Sequence, residues 1–228
     1  LVCLADGLTP TTARRIEDLA RRGRVTVDRV PREALDRLAK GLTHQGAIAL
    51  TGDYPYTDPA GLLDAADREK APLLVLLDQV QDPGNLGAIV RSAHALGADG
   101  VVLTRNRSAP VTAAAVRSSA GATELTRIAR VTNLVRLIED LQKRDYRVLG
   151  ADAGADTSVE HVDWRGRLAL VLGNEGKGLR RLTRERCDAL FSIPLAAPFD
   201  SLNVSAAAAI SLWESARRRR LAAAAAGR

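Results

Sequence analysis

The sequence predicts an α/β fold in which a small module precedes a larger domain built on a parallel sheet. Segments with strand-like and helix-like patterns alternate along the chain, which is typical of a parallel sheet covered by helices on both faces. Several predicted strands are continuous aliphatic runs, such as LLVLLD at 73–78, rather than alternating apolar and polar residues. That pattern is expected where both faces of a strand are buried, so the sheet of the larger domain is predicted to be buried.

Residues 1–51 predict a module with the order strand, helix, strand, helix, strand. Pro31 opens the second helix and Gly41 follows it, in keeping with the preferences of helix ends. The predicted strands are residues 1–6, 25–30 and 45–50, and the predicted helices are residues 11–22 and 31–41. Residues 52–71 carry two prolines and no long periodic pattern, so they predict a linker with a short helix at 60–68.

The larger domain is predicted to span residues 72–228. Its predicted strands are residues 73–78, 100–104, 126–131, 146–152, 167–173 and 190–195. Its predicted helices are residues 85–96, 108–122, 132–145, 179–188 and 203–220. Thr132 is predicted to cap the third of these helices, since threonine accepts hydrogen bonds from the free N–H groups of a first turn. The final run RRRRLAAAAAGR is interpreted as a frayed helix end.

The composition favours a polyanionic partner and a protein without a metal. The net charge is +6, whereas aromatic residues make up only 3%, which argues against single-strand binding by base stacking alone. Cys3 and Cys187 lie far apart without CxxC spacing, and His44, His94 and His161 add no ligand pattern. Neither a disulfide framework, a membrane-length apolar run nor a signal peptide is recognisable, so a cytoplasmic location is expected.

The segment DPGNLGAIVR at 82–91 opens a helix with an unusual face. One side of that helix carries a single long cation, Arg91, in a row of small side chains. The face consists of Gly84, Gly87, Ala88, Arg91, His94 and Ala95. Asn85 stands in the first turn, where it is a candidate helix cap or a functional amide.

The segment LVLGNEGKGL at 170–179 runs from a buried strand into three glycines and one carboxylate, Glu175. Neither the Walker A pattern nor G-x-G-x-x-G is present. The glycines predict a tight strand-to-helix turn. Glu175 is then held at the carboxyl end of a strand, where α/β sheets bind ligands, although a surface carboxylate is the plainer interpretation.

A third segment, SIPLAAPFDSLNVSAAAAISLWESA at 192–216, passes from a strand through a loop into the last helix. Ser201 and Asn203 are candidate caps of that helix. Residues 205–209 are all small, so the helix can pack closely against another backbone.

Together and in this order, the three segments resemble the motifs of the SpoU/TrmH family of RNA ribose 2′-O-methyltransferases, in the SPOUT superfamily. The matching stretches are DPGNLGAIVRSAHALG, LVLGNEGKGL and IPLAAPFDSLNVSAAAAI. The branch that methylates a guanosine of bacterial 23S rRNA is the most similar, through HQGAIAL, TRIARVTNL and RLTRERCDALFSIP. Residues 1–50 resemble the end of its L30e-like RNA-binding domain, whose first strand and helix would precede Leu1.

The resemblance implies S-adenosylmethionine as cofactor, a trefoil knot in the larger domain, and a homodimer formed largely by the first and last helices of the knot. The implied cofactor residues are Thr104, Leu172, Gly173, Ile193 and Leu202. The implied catalytic residues are Asn85, Arg91, Glu175, Ser201 and Asn203. Arg91 would orient the ribose hydroxyl and offset developing negative charge, because a guanidinium stays protonated. The small-residue faces at 84–95 and 205–209 would let two subunits approach closely.

The module at the N-terminus is expected to contact RNA phosphates through Arg14, Arg15, Arg21, Arg22 and Arg24, although a solvated helix explains these residues equally well. Two other functions remain open at this point. The enzyme could modify tRNA or another rRNA nucleotide, in the manner of antibiotic-resistance methylases. Alternatively, the chain could be a non-catalytic RNA-binding or ribosome-assembly protein.

Overall fold

The computed structural model describes residues 1–41, 43–196 and 200–226, and the chain divides into two compact units, Leu1–Pro55 and Tyr56–Arg228. The first unit is a three-stranded sheet with two helices, as predicted. Its elements are β1 (Val2–Ala5), α1 (Pro10–Arg22), β2 (Val27–Val30), α2 (Arg32–Ala39) and β3 (Ala47–Ala49). β1 is central, parallel to β2 and antiparallel to β3. Cys3, Ala5 and Leu35 form the core of this unit.

The second unit is built on a six-stranded parallel sheet with the order β6-β5-β4-β8-β7-β9. Its strands are β4 (Leu73–Leu77), β5 (Gly100–Thr104), β6 (Ile128–Val131), β7 (Arg147–Ala151), β8 (Leu168–Leu172) and β9 (Ala189–Phe191). Its helices are α3 (Pro59–Ala66), α4 (Pro83–Ala95), α5 (Ala113–Ser118), α6 (Leu134–Lys143), α7 (Arg181–Arg186) and α8 (Val204–Ala226). Every residue of β4, β5 and β8 is buried, which confirms the prediction from their aliphatic runs.

Part of the predicted linker belongs to the second unit instead. Helix α3 begins with Asp58 as its cap, and Leu62, Leu63 and Ala66 are buried in the same core as the strand residue Leu74. The short helix predicted at 60–68 is thus confirmed as α3, and it packs into the second unit, which begins at Tyr56. Its apolar residues are too few for a long periodic pattern, yet they fall on one face of two helical turns.

Two predicted helix boundaries were wrong. Asn133, not Thr132, caps α6, since its side chain accepts a hydrogen bond from Arg136 N–H at 3.1 Å. The predicted helix at 108–122 is only six residues long and is followed by a 3-10 turn at Ala122–Glu124. Gly121, with φ of 88°, breaks the helix there because it takes a left-handed conformation.

The run RRRRLAAAAAGR was predicted to be a frayed helix end, but its arginines belong to α8 and one of them anchors the helix. α8 continues to Ala226, and the guanidinium of Arg219 donates to the carbonyl oxygens of Ala71, Pro72 and Gly166. These carbonyls lie at the amino ends of β4 and β8, so Arg219 ties α8 to the edge of the sheet opposite its carboxyl ends.

The trefoil crossing that the resemblance implies involves the loop containing residues 197–199, which lie outside the described residues, and it stays a prediction. Among the described residues, no helix is both long and apolar enough to cross a membrane.

Candidate active site

The two central strands of the larger sheet end in loops that meet. β4 and β8 are neighbours, and their loops span residues 78–82 and 173–180. The N–H of Asp78 donates to the carbonyl of Leu172 at 2.8 Å, which joins the two strand ends. Both loops lie at the carboxyl edge of the sheet, where α/β proteins bind ligands.

The loop after β8 is a tight hairpin that requires glycine. Asn174 and Gly178 exchange two backbone hydrogen bonds of 2.9 Å. A Cβ at Gly173 would lie 2.1 Å from the carbonyl carbon of Gly178, so a larger residue does not fit. Gly178 itself has a φ of +65°, in the left-handed region that glycine adopts without strain.

Asn174, which the sequence analysis did not single out, organises this loop. Its Oδ1 accepts hydrogen bonds from the N–H groups of Gly176 and Lys177, at 3.0 and 3.2 Å. Its Nδ2 donates to the carbonyl of Gln79 at 2.9 Å, across to the loop after β4. The tendency of asparagine to bond the backbone two residues onward was the available signal.

The carboxylate of Glu175 is exposed, yet both of its oxygens are engaged. They accept hydrogen bonds of 3.2–3.3 Å from the N–H groups of Gln81 and Asp82 in the other loop. The side-chain amides of Asn85 and Asn174 add a further 3.2 Å hydrogen bond each. Glu175 therefore fixes the loop after β4 to the loop after β8.

Two further amides extend this network to the last helix. Asp82 caps α4 by accepting from Asn85 N–H at 2.7 Å, so Asn85 is not the cap of that helix. The side chain of Asn85 is free to accept from Nδ2 of Asn203 at 3.0 Å. Asn203 in turn accepts from the N–H of Ser205 at 2.8 Å, so it caps the start of α8. A continuous path runs from Asn203 through Asn85 to Glu175.

A pocket of about 360 Å³ opens beside this network. Four of the five predicted cofactor residues line it: Leu172, Gly173, Ile193 and Leu202. Its other described lining residues are Ala151, Asp152, Ala153, Asn174, Glu175, Gly176, Lys177, Gly178, Leu179, Phe191, Ser192, Leu195, Asp200, Ser201, Val204 and Ala207. Thr104 is not among the described lining residues, since its buried hydroxyl lies 2.5 Å from that of Ser108 at the end of β5.

An ion pair between a buried carboxylate and a half-exposed arginine, also unforeseen, supports the far end of the glycine loop. Asp78 is fully buried and accepts from Nε and N of Arg180, at 2.6 and 3.1 Å. Cys187, on the following segment, is a packing group. Burial raises the pKa of its thiol to about 12, and Sγ donates to the carbonyl of Thr183.

Arg91 and Ser201 are not drawn into the network. Ser201 lines the pocket, and Arg91 is exposed on α4. Neither side chain forms a hydrogen bond or ion pair with any other part of the chain that the structure describes. The structure therefore brings together Asn85, Glu175 and Asn203 and leaves Arg91 pointing to solvent.

The interpretation of the small-residue faces as subunit contacts was wrong at two central positions. A Cβ at Gly87 would lie 1.9 Å from Oγ of Ser118 and 2.2 Å from the carbonyl oxygen of Ala115, so Gly87 packs against α5 of the same chain. Ala208, on α8, is likewise fully buried within the chain.

The predicted RNA-binding arginines lie along α1 and just after it. Arg14, Arg15, Arg21 and Arg22 are exposed on the helix, and Arg24 follows it with a positive φ of 54°. Only Arg21 among them is paired, with Asp18 at 3.0 Å, in the described part of the chain.

Comparison with protein families covers most of the chain. Residues 72–213 match the family described as SpoU rRNA methylase, which is more than half of the chain. This chain belongs to the SpoU rRNA methylase family. Residues 2–57 match the family described as RNA 2′-O ribose methyltransferase substrate binding. The predicted SpoU/TrmH membership is thereby confirmed, whereas the predicted 23S rRNA branch stays a prediction.

Individual curated proteins that are similar to this chain also carry methyltransferase names. A protein of Mycolicibacterium vanbaalenii described as an uncharacterized tRNA/rRNA methyltransferase is 48% identical over 199 residues. That alignment covers 87% of this chain but 63% of the relative, so the chain spans less than two thirds of its relative's length.

Solved structures of this family have the same fold. The SpoU methyltransferase AviRb from Streptomyces viridochromogenes has a TM-score of 0.78 at 28% identity, over 97% of this chain and 82% of AviRb. An AdoMet-bound rRNA methyltransferase from Sinorhizobium meliloti has a TM-score of 0.76 at 26% identity, over 95% of this chain and 79% of that protein.

Proposed function

We propose that this chain transfers the methyl group of S-adenosylmethionine to a ribose 2′-hydroxyl of RNA. The observation that carries the proposal is the pocket beside the path from Asn203 through Asn85 to Glu175, in a member of the SpoU family. The pocket lies at the carboxyl edge of β8, and related proteins of this fold are described as bound to AdoMet.

The pocket suits such a cofactor in size and chemistry. Its volume falls in the range of small-molecule sites, and aliphatic side chains such as Leu179 and Val204 line it together with loop backbone. At Gly173 the backbone of Gly178 approaches too closely for a side chain, so this part of the pocket wall is formed by loop backbone. When bound, S-adenosylmethionine supplies an activated methyl group on a sulfonium.

The protein's contribution to the reaction is chiefly positioning. The amides of Asn85 and Asn203 are held by their hydrogen bonds, so they present a fixed surface to the substrate ribose without further ordering. Arg91 orients the 2′-hydroxyl and stabilises the negative charge that develops on its oxygen. Its guanidinium stays protonated, so Arg91 does not itself accept the hydroxyl proton.

The specific target that we propose is a guanosine of 23S rRNA, as the sequence resemblance to that branch of the family implies. The match of residues 2–57 to a substrate-binding family supports recognition of folded RNA by the first unit, with its exposed arginines contacting phosphates. The name tRNA/rRNA methyltransferase, which mycobacterial relatives of this chain share, keeps tRNA as a second candidate substrate. The intact hydrogen-bond network favours either over a non-catalytic protein.

A homodimer is part of the proposal, because Arg91 is exposed and forms no hydrogen bond or ion pair with the site in the ranges that the structure describes. Trp213 supports it as well, since this aromatic side chain on α8 is 51% exposed and has Ile210 one turn before it. A second subunit covering α4 and α8 would bury these apolar groups and bring its own Arg91 to the pocket.

The product of the reaction tests the function. Methylation of a 2′-oxygen removes the internal nucleophile of the adjacent phosphodiester. 23S rRNA and tRNA incubated with the protein and S-adenosylmethionine should each be examined for one position that gains resistance to alkaline cleavage. A methylated base beside a cleavable backbone, or no S-adenosylmethionine binding by calorimetry, would refute the proposal.

A further inference from the structure

A second groove in the C-terminal unit runs between α3 and α6 and reaches the carboxyl ends of β5 and β6. Its volume is about 670 Å³, and its described lining includes five basic side chains and one acidic side chain. The charged lining residues are Arg105, Arg130, Arg136, Lys143, Arg144 and Asp140. Such a surplus of cations in a concave surface concentrates positive potential.

Two of these cations are neutralised within the chain. Lys143 pairs with Asp140 at 3.1 Å, and Arg144 pairs with Asp67 at 2.6 Å. The cations with no carboxylate partner among the described residues are Arg105, Arg130 and Arg136. The uncompensated charge therefore lies at the end of the groove that is nearest the carboxyl edge of the sheet.

Arg130 is held in place before any ligand arrives. Its guanidinium lies 5.0 Å from the ring centroid of Tyr56, and Nη2 donates to the carbonyl of Arg105 at 3.1 Å. A guanidinium has five N–H groups, so several remain for an anion. Because the side chain is already ordered by stacking, binding through it costs little additional conformational entropy.

Arg105 and Arg136 complete the site from the segments that follow the neighbouring strands β5 and β6. Arg105 directly follows β5, and Arg136 lies in the first turn of α6, which follows β6. Both are exposed, and within the described ranges neither guanidinium forms a hydrogen bond or ion pair. Parallel strands end at one edge, so these cations lie at the same edge of the sheet as the loop that carries Glu175.

We propose that this groove binds the phosphodiester backbone of the RNA substrate and holds it against the carboxyl edge of the sheet. The inference rests on the proposed function, which supplies RNA as the partner. Planar guanidinium groups match phosphate oxygens in pairs, and unpaired cations attract a polyanion more strongly than paired ones. Contacts of this kind fix the position of an RNA without reading its sequence.

The test is the double variant Arg105→Ala/Arg136→Ala, measured by filter binding to a 23S rRNA transcript over a range of salt concentrations. Loss of two phosphate contacts should weaken affinity about 10-fold at 0.15 M salt. The slope of log affinity against log salt should become shallower by about 1 to 2. Thermal stability and the affinity for S-adenosylmethionine should be unchanged. The Arg105→Lys/Arg136→Lys variant should keep most of the parent's salt slope.

The matched control, Lys70→Ala/Arg117→Ala, removes two exposed positive charges from other parts of the same unit. An equal loss of affinity in this control would show an effect of net charge and overturn the groove. Unchanged RNA affinity in the Arg105→Ala/Arg136→Ala variant would refute RNA binding by the groove. If the parent protein methylates RNA, the proposed function would still stand. A parent that binds S-adenosylmethionine but no RNA would overturn the proposed function, and the groove with it.

Discussion

Glu175 illustrates how one side chain is assigned its role by its partners. A carboxylate used as a general base needs a free oxygen that faces the substrate proton. Both oxygens of Glu175 instead accept hydrogen bonds from the N–H groups of Gln81 and Asp82 and from two side-chain amides. We therefore interpret Glu175 as a positioning residue that holds Asn85, rather than as the acceptor of the hydroxyl proton.

Glu175→Gln tests this interpretation with little change in size. The new amide group replaces one acceptor by a donor that faces the existing N–H groups, so the two loops should shift apart. A misplacement of about 1 Å can lower a rate about 100-fold, and a loss of that order in RNA methylation is expected. Glu185→Gln, on the exposed face of α7, is the matched control and should keep parental activity. If Glu175→Gln methylated RNA at the parental rate, the positioning role would be excluded.

The hydrogen-bond partners of these side chains could not be predicted from the sequence. Glu175 and Asn85 could be singled out from their motifs, but the groups that hold Glu175 are backbone N–H groups about ninety positions earlier in the chain. Backbone donors carry no signature in sequence. The ion pair of Asp78 with Arg180 was missed for a similar reason, since a buried carboxylate at a strand end resembles an ordinary turn residue until its partner is known.

At the scale of elements, the aliphatic runs were sufficient to predict the fully buried strands β4, β5 and β8. The strand predicted at 190–195 was misplaced, since β9 spans Ala189–Phe191. Helix ends were less predictable. Thr132 and Asn133 are adjacent and both can cap a helix, so one residue of register decided the outcome. The short helix α3 was predicted only as part of a linker, because its contribution to the core depends on tertiary packing.

The packing of α4 on α5 depends on Gly87, and this yields a prediction of stability. Gly87→Ala would place a methyl group 2.2 Å from the carbonyl oxygen of Ala115, which is backbone and cannot rotate away. The helices must separate, and we expect a loss of about 1–3 kcal/mol in the free energy of unfolding. Gly61→Ala, in the open first turn of α3, should be neutral or slightly stabilising. Urea unfolding measures both, and equal values for the two variants would contradict the close contact.

The middle of α8 carries a buried carboxylate that makes stability depend on pH. Hydrogen bonds from Arg217, and then Arg218, lower the pKa of Glu214 to about 2. The folded pKa lies below the ordinary value of 4.5, so the stabilisation is fully present above about pH 4.5 and is lost as the pH falls towards 2. The Glu214→Gln variant has no ionisable group at this position, so it lacks this pH-dependent stabilisation. The difference in unfolding free energy between parent and variant should therefore shrink from pH 7 to pH 3, and a constant difference would exclude the linkage.

At the scale of the whole molecule, the order of the elements in both units followed from the alternation of strands and helices. The chemistry required more than that order. The pattern of strands alone does not distinguish a SpoU pocket from another α/β site. The function was therefore inferred from three short sequence motifs and from the loops that the sheet brings together. Among the described residues, Arg91 is exposed and forms no hydrogen bond or ion pair with the network of Asn85, Glu175 and Asn203.

Arg91 is predicted to complete the active site of the partner subunit, which makes the site a composite of two chains. Asn203 is connected to the pocket of its own chain through Asn85 and the lining residue Glu175, whereas Arg91 is exposed and, among the described residues, unpaired. In the proposed homodimer each site would combine Asn203 of one subunit with Arg91 of the other, and the two sites are equivalent by symmetry. Arg91→Ala and Asn203→Ala should each be nearly inactive as homodimers. Co-expression with two different tags allows the mixed dimer to be purified.

In a composite arrangement, one site of the mixed dimer receives both native side chains and the other receives neither. Activity should then return to about half of the parental level, by the symmetry of an isologous dimer. A mixed dimer of the parent with Arg91→Ala, prepared in the same way, controls for the tags and should also retain about half. If each site were built from a single chain, both sites of the Arg91→Ala/Asn203→Ala mixed dimer would carry one lesion. It would then stay as inactive as the two homodimers, and Arg91 would have to act in its own subunit.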